Sequence, residues 1–319
     1  MKTIGIIGKG FVGGAVYEGM KHAFDVVSWD KANGWETWDI DRDNNSSHND
    51  VHIHSYLEYI RDDMEQSGKN GPPDDSIYYL TKYSDGPIFV CVPTPMKKDG
   101  SCDTSIVESV VLEVDDAVKK MGLLRVVVIK STVPPGTTDA INEKTENIQV
   151  CFNPEFLTER NAIEDFKNQD RIIIGGPRPA TNVVKQMYAT AFPNVPTTKT
   201  SSTIAELVKY VTNCFLATKV SFANEIKQIC DKLEIDYDKV IEYAGKDKRL
   251  GNSHWAVPGP DGNLGFGLTC FPKDLNALIA RSKELGVDPT VMMATWAKNL
   301  EVRADRDWER MIGRAIAEE

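Results

Sequence analysis

A chain of 319 residues is too long for one ordinary core and has room for two domains, or for one domain with a sizeable helical extension. Its 41% hydrophobic and 26% charged content is that of a soluble globular protein, and its longest apolar runs fall far short of a membrane span, so no membrane partner is expected. The net charge of −10, with Lys and Arg dispersed among more numerous acids, argues against general nucleic-acid binding, which needs a clustered basic face.

The N-terminal MKTIGIIGKG has the charge and apolar stretch of a secretory signal, but the stretch is short and runs straight into a glycine motif, so residues 3–7 read as a first strand. Gly8-Lys9-Gly10-Phe11-Val12-Gly13 opens a helix to about His22, and Asp25 to Trp29 is a second strand ending at Asp30. Residues 31–86 are polar and rich in Asn, Gly and Pro; loops and one helix near Tyr56 to Met64 are all that the pattern supports there. Pro87 to Val92 is a strand stopped by Pro93-Thr94-Pro95, and Asp103 to Met121 is a helix. Arg125 to Lys130 is a strand before the turn Val133-Pro134-Pro135-Gly136, and Gln149 to Phe152 and Arg171 to Ile174 continue the alternation. Strands alternating with helices predict an α/β fold, a Rossmann-type doubly wound, mostly parallel sheet over residues 1–200.

After Thr200 the strands cease. Thr203 and Glu206 have the spacing of a capping box, and no Pro or Gly interrupts the chain from there to Leu233, which predicts one long helix of roughly 45 Å. Ile204, Leu207, Val211, Phe215, Phe222, Ile226 and Leu233 make one apolar stripe on it, and Ala205, Leu216, Val220, Ala223 and Cys230 another. Two apolar faces imply burial both between domains and in a homodimer. A glycine-rich loop over residues 245–267 and a helical tail complete an all-helical C-terminal domain, residues 201–319.

Gly8, Gly10 and Gly13 supply the tight turn, close backbone approach and helix packing that let a pyrophosphate rest on a helix N-terminus. Asp30 ends the next strand 20 residues beyond Gly10, where a carboxylate binds a ribose diol and repels a 2′-phosphate, so NAD is the expected cofactor. Cys270 stands just before Pro272, which suits the first turn of a helix, and Lys273 and Asp274 follow. The helix dipole and the lysine both favour a thiolate there, although this stretch alone fits a buried cysteine at a helix cap equally well. Lys209 and Asn213 are four apart on one face of the long helix among apolar positions, which suits the wall of a polar pocket. Glu155 and Glu159, after Asn153-Pro154, are candidates for acid/base work or ligand binding. His48, His52 and His54 with Asp50 imitate a metal site but sit in a polar segment without turn geometry, and the six cysteines (Cys91, Cys102, Cys151, Cys214, Cys230, Cys270) lack metal-ligand spacing. No metal is expected, and unpaired cysteines suit a reducing cytoplasm. His254, in the glycine-rich loop, is placed to approach a ligand.

Together these stretches resemble the UDP-glucose/GDP-mannose dehydrogenase family. The resemblance rests on GKGFVG, VPTP at 92–95, STVPPGTT at 131–138, NPEFLTERNAIEDF at 153–166, AELVKYVTNCFLATKVSFANE at 205–225 and GFGLTCFPKD at 265–274, in the family's order. It implies that Cys270 is the catalytic nucleophile, that Lys209 and Asn213 stabilise the oxyanion, that Asp274 and Thr132 hold the catalytic water, and that Glu155 acts as acid/base in thioester hydrolysis. It further implies cofactor contacts at Gly8, Gly10, Phe11, Val12, Gly13, Asp30, Thr94 and Thr132. Phe156, Leu157, Glu159, Lys209, Asn213, Gly265 and Lys273 would line a nucleotide-sugar pocket, with Arg249 reaching the substrate of a partner subunit. The reaction so implied is a four-electron oxidation by NAD of the sugar's primary alcohol to the uronic acid, through a thiohemiacetal and a thioester.

The loop departs from the family pattern in an extra Pro260-Asp261-Gly262-Asn263, which with His254 and Trp255 offers groups to a nucleotide, and in Gly267-Leu268 where two glycines are usual. The family usually continues into a C-terminal nucleotide-binding domain, whereas this sequence stops at Glu319. Two other readings stand beside this one. A two-electron hydroxyacid dehydrogenase shares the dinucleotide fold and the Lys and Asn helix but has no need of Cys270 or Glu155. A non-catalytic dinucleotide-binding protein has no use for Thr132, Glu155, Lys209, Asn213, Cys270 and Asp274 as a set.

Overall fold

The computed structural model describes residues 2–38 and 76–318. His48, Asp50, His52, His54 and the helix expected near Tyr56 to Met64 lie outside the described residues. The chain divides into two compact units, Met1–Val92 with Ser105–Leu207 and Pro93–Thr104 with Val208–Glu319. The segment Pro93–Thr104 thus belongs with the helical unit, where Met96 bridges to Cys102 and to Ile316, although chain order alone runs it with the sheet.

Among the described residues of the first unit eight strands form one sheet in the order β3-β2-β1-β4-β5-β6-β7-β8. They are β1 (Thr3–Ile7), β2 (Asp25–Asp30), β3 (Gly34–Trp38), β4 (Ile88–Val90), β5 (Arg125–Ile129), β6 (Ile148–Phe152), β7 (Ile172–Gly175) and β8 (Thr197–Thr200). β2, β1, β4, β5 and β6 run parallel; β3 lies antiparallel on β2, and β7 meets β6 antiparallel through Phe152 and Gly175 before pairing parallel with β8. The central strands read as continuous apolar runs because both faces are covered, and alternate residues feed different cores. Ile4, Ile6, Val128 and Cys151 pack on one face with α1 (Phe11–Met20), α5 (Ala162–Lys167) and α6 (Arg178–Ala191). Ile7, Val127, Ile129, Val150 and Phe152 pack on the other with α2 (Ser76–Tyr83), α3 (Ser105–Met121) and α4 (Thr137–Asn142). In α3, Val107, Val110, Val111, Val114 and Val118 recur at helical spacing and are all buried, each contributing roughly 1.5–3 kcal/mol of burial. The doubly wound sheet is as the alternation implies. The peripheral β3 and β8, sequences GWETW and TTKT, carry no such apolar run; pairing with a formed neighbour makes them strands.

The long helix is α7 (Ser202–Lys232), whose first residues belong to the first unit and the rest to the second. Its start differs from the capping box expected of Thr203 and Glu206. Thr203 Oγ1 donates to Asp139 Oδ2 at 2.8 Å, and the Glu206 carboxylate, fully buried, accepts the backbone N–H groups of Gly136 at 2.6 Å and Thr138 at 2.8 Å. Glu206 therefore satisfies the free donors at the head of α4, because that turn brings unpaired N–H groups into its reach. Burial raises its pKa, and the hydrogen bonds from Thr138 and Gly136 oppose the rise. Ile204, Leu207, Val211, Phe215, Phe222 and Leu233 are exposed on α7 and just beyond it, while Ala205, Ala223 and Cys230 of the second stripe are buried and Leu216, Val220 and Ile226 half-buried.

The second unit continues with α8 (Tyr237–Ala244), α9 (Cys270–Glu284) and α10 (Thr290–Val302). Tyr210, Cys214 and Ala217 of α7 pack with Phe266, Leu275, Ala277 and Ile279. A second cluster joins Ala223 and Cys230 to Tyr237 and Val257.

Glu206→Ala should leave the Gly136 and Thr138 N–H groups unpaired and cost about 1–3 kcal/mol of stability. Urea unfolding would show it as a lower midpoint with an unchanged slope.

Candidate active site

The glycine turn of the first unit has a separate cause for each glycine. Gly8 has φ 87°, and a Cβ there would stand 2.7 Å from the Cys91 carbonyl oxygen. A Cβ on Gly13 would stand 1.9 Å from the carbonyl oxygen of Gly8, so this glycine sets how closely α1 approaches the turn. At Gly10, the N-cap of α1, a Cβ would meet nothing within 4 Å, which leaves open space over the helix start. Phe11 and Val12 begin α1, where first-turn N–H groups lack intrahelical partners and favour an anion. These residues fit a dinucleotide pyrophosphate.

Asp30 closes the turn from β2. Its Oδ2 accepts the Lys9 N–H at 2.7 Å, and its Oδ1 accepts the Ala32 and Asn33 N–H groups at 2.9 and 3.0 Å and the Asn33 side chain at 3.1 Å. A carboxylate offers about four acceptor positions, so Oδ2 keeps one for a ribose hydroxyl. Lys9, which the pattern treats only as a spacer, packs its ammonium 4.0 Å from the centre of the Tyr17 ring and pairs with Glu36.

Other candidates of this unit stand at the ends of β5 and β6. Thr132 is buried three residues past β5, after Ser131, whose Oγ donates to the Val92 carbonyl at 2.6 Å. Glu155 is buried, and its Oε2 accepts the Leu157 N–H at 2.7 Å. The Phe156 ring lies under Arg171, 4.2 Å from the guanidinium carbon, and Leu157 packs on the sheet core. Glu159 is half-buried. Thr94, expected with the cofactor residues, is buried and belongs to the second unit.

In the second unit the structure draws together what the sequence separates by some sixty positions. Cys270 is the first residue of α9, half-buried, its Sγ 3.7 Å from the hydroxyl of Thr269, the N-cap. Asp274, in the next turn, is buried, and both its oxygens are taken: Oδ2 by the Asn213 amide at 2.6 Å and Oδ1 by the Lys273 ammonium at 2.5 Å. Lys209 Nζ lies 3.5 Å from Asn213 Oδ1, one turn back on α7. Burial disfavours the charge on Lys273, yet Asp274, Cys270 and Cys102 around it raise its pKa, so it remains an ammonium. The Lys273 ammonium, whose pKa the Cys270 thiol also raises, places a positive charge in the field of that thiol, which favours a thiolate. The other thiols are placed differently. Burial pushes Cys91 and Cys151 up to about 12 and Cys102 to about 11, which keeps them protonated and inert at neutral pH.

The glycine-rich loop shows contacts that spacing does not reveal. Asp261, expected to be available to a nucleotide, is already bound: Arg303 Nη1 donates to it at 2.7 Å. Arg303, its side chain 1% exposed, also lies 3.3 Å from Asp307 and donates to the Asp305 carbonyl. Gly265 has φ 67°, and a Cβ there would stand 2.3 Å from Asn299 Oδ1, whose amide pairs with both backbone groups of Phe266. Leu268 has φ 58°, a left-handed conformation that glycine adopts freely; its N–H donates to Asp307 at 3.0 Å. His254 stacks at a tilt 5.7 Å from Phe271, while Trp255 donates to the Gly251 carbonyl and covers Lys219 at 4.6 Å. Arg249 is 89% exposed and gripped by Asp247, apart from the Cys270 cluster in hydrogen bonding.

Residues 2–192 match the NAD binding domain, and residues 203–301 the central domain, of the UDP-glucose/GDP-mannose dehydrogenase family. The chain belongs to that family. UDP-glucose 6-dehydrogenase YwqF of Bacillus subtilis is 36% identical over 229 residues, 68% of this chain and 50% of its own. UDP-glucose 6-dehydrogenase of Pseudomonas aeruginosa is 36% identical over 224 residues, 66% of this chain and 48% of its own. A solved UDP-glucose dehydrogenase from the hyperthermophilic archaeon Pyrobaculum islandicum aligns with a TM-score of 0.74 at 30% identity, over 94% of this chain and 68% of that one. The chain spans about half the length of the curated relatives it matches. Membership in the UDP-glucose/GDP-mannose dehydrogenase family accords with the glycine turn, whose domain in that family binds NAD. Among the described residues no group of His, Cys, Asp and Glu is arranged to hold a metal ion, and no helix is long and apolar enough to cross a membrane.

Asp30→Ala should weaken NAD binding about tenfold to a hundredfold, the value of a hydrogen bond to a charged acceptor. Fluorescence titration of the cofactor measures it; unchanged affinity would mean that Asp30 does not receive the ribose.

Proposed function

We propose that the protein is an NAD-dependent nucleotide-sugar 6-dehydrogenase that carries a primary alcohol through two oxidations to the uronic acid, with UDP-glucose the first substrate to test. The observation that carries this reading is the buried Asp274 cluster beside Cys270, because a two-electron dehydrogenase or a binding module needs no thiol at the head of a helix beside a buried ammonium. NAD supplies the hydride acceptor for both oxidations.

In the proposed sequence the Cys270 thiolate adds to the aldehyde carbon, forming a C–S bond and an oxyanion that takes a proton to give the thiohemiacetal. Lys209 donates to that oxygen, as does the Asn213 amide hydrogen not used on Asp274. Loss of a hydride and a proton then leaves a thioester. Water adds to its carbonyl carbon, the C–S bond breaks, and the thiol leaves as the acid forms. Asp274 and Thr132 are assigned to holding that water, and Glu155 to moving its proton. Phe156, Leu157, Glu159, Lys273 and Gly265 are assigned to the sugar nucleotide, and Phe11, Val12, Thr94 and Thr132 to the cofactor.

The same reading makes the protein a homodimer. The exposed stripe of α7, from Val211 through Phe215 and Phe222 to Leu233, is a contiguous apolar face that stays in water unless a second copy covers it. Arg249, exposed and held in shape by Asp247, is then assigned to the partner's substrate. Light scattering at micromolar concentration should give twice the chain mass, and Phe215→Glu should return the monomer. A wild-type monomer would remove both the dimer and the role of Arg249.

With UDP-glucose, two reduced cofactors should form per acid released. Cys270→Ala should end acid production, and Lys209→Ala should slow it about 100-fold or more, as loss of an oxyanion donor does. Alkylation at neutral pH should label Cys270 ahead of the buried thiols and be blocked by substrate. Acid formed by Cys270→Ala at full rate, with one reduced cofactor per turnover, would replace this reading with a two-electron hydroxyacid dehydrogenase.

A further inference from the structure

Lys130 directly follows β5 and is 3% exposed. A lysine is almost never enclosed this fully without partners, because stripping water from an ammonium is costly. Its Nζ donates to Asn153 Oδ1 at 2.9 Å and lies 5.4 Å from the centre of the Phe166 ring of α5. The same Asn153 oxygen accepts the Tyr188 hydroxyl of α6 at 2.6 Å, and the Asn153 amide donates to the Ile173 carbonyl of β7 at 2.7 Å. One side-chain amide thus ties together the ends of β5 and β6, the middle of β7 and a covering helix.

The tied residues stand two positions before two candidate catalytic groups. Lys130 leads through Ser131 to Thr132, and Asn153 through Pro154 to Glu155. Both strands stay in the ladder up to these points: the Lys130 N–H donates to the Val90 carbonyl and the Asn153 N–H to the Ile129 carbonyl, each at 2.9 Å. The network therefore decides where Thr132 and Glu155 leave the sheet.

We propose that Lys130 is a positioning residue for the water-addition step: with Asn153 and Tyr188 it holds the strand end that carries Glu155. This rests on the four-electron reading given above.

The test compares Lys130→Met, which keeps the chain length and removes the charge, with Tyr188→Phe, which removes one hydroxyl. Single-turnover kinetics with NAD and UDP-glucose follow the first reduced cofactor, and intact-protein mass spectrometry follows the adduct on Cys270. Lys130→Met should slow the first reduced cofactor less than acid release, which should fall at least about tenfold, and should accumulate the thioester. Tyr188→Phe should also slow acid release, and if Lys130→Met does not fold, unimpaired acid release by Tyr188→Phe overturns the proposal. Equal slowing of hydride transfer and acid release by Lys130→Met, with no thioester, overturns this inference alone. Wild-type protein that yields one reduced cofactor per product overturns the four-electron reading and this inference with it.

Discussion

A carboxylate with 1% of its surface in water has to be satisfied by its neighbours, and Asp274 meets that constraint through two side chains from different helices. Because Asn213 of α7 and Lys273 of α9 each give a hydrogen to it, the register of the two helices is set at this point. Withdrawing any of the three leaves a buried donor or a buried charge uncompensated, which costs far more than an exposed pair would. The position of Cys270 follows, since it is one turn before Asp274 on the same helix and shares the field of Lys273. A reactive thiol could not be held as precisely by a loop that water can reach and rearrange.

The first unit is governed by a similar rule at the carboxyl ends of its parallel strands. Gly8 follows β1, Asp30 ends β2, Cys91 follows β4, Lys130 follows β5 and Asn153 follows β6. In an open parallel sheet the apolar strands are covered on both faces by helices, so polar chemistry collects where the chain turns out of the sheet. Here the collected groups divide into a dinucleotide cradle at β1 and β2 and a buried polar network at β5 and β6. The cradle depends on backbone approach, which explains why glycine is required at Gly8 and Gly13. The network depends on side chains that neutralise one another.

The glycine-rich loop of the second unit is held by charge. Arg303, enclosed between Asp261 and Asp307, fastens both the inserted turn and the start of the segment leading to Cys270, since Asp307 also takes the Leu268 N–H. Those contacts offset the cost of leucine in a left-handed conformation, of order 1–2 kcal/mol. The insert is thus part of the scaffold that leads into α9.

Several features were determined by the sequence alone. The apolar strands and the valine stripe of α3 follow from periodicity, because burial on one or two faces leaves a local signature. The glycine turn with Asp30 at the end of the next strand, and the long uninterrupted helix, are likewise local. The set Lys209, Asn213, Cys270, Lys273 and Asp274 was legible as residue types in motifs, and the structure joins it through Asp274. Other features were decided only by tertiary structure. Glu206 has the spacing of a local cap yet serves α4, some seventy residues earlier in the chain, because unpaired N–H groups there came within reach. Asp261 looked free for a ligand until Arg303, forty-two residues on, claimed it. Lys130 read as the last residue of a strand, and nothing in its spacing announced that Asn153 and Tyr188 would meet its ammonium. A sequence displays what repeats within a few residues; the partner of a buried charge is chosen by the fold, since desolvation makes the nearest complementary group the only tolerable neighbour, however distant it is in the chain.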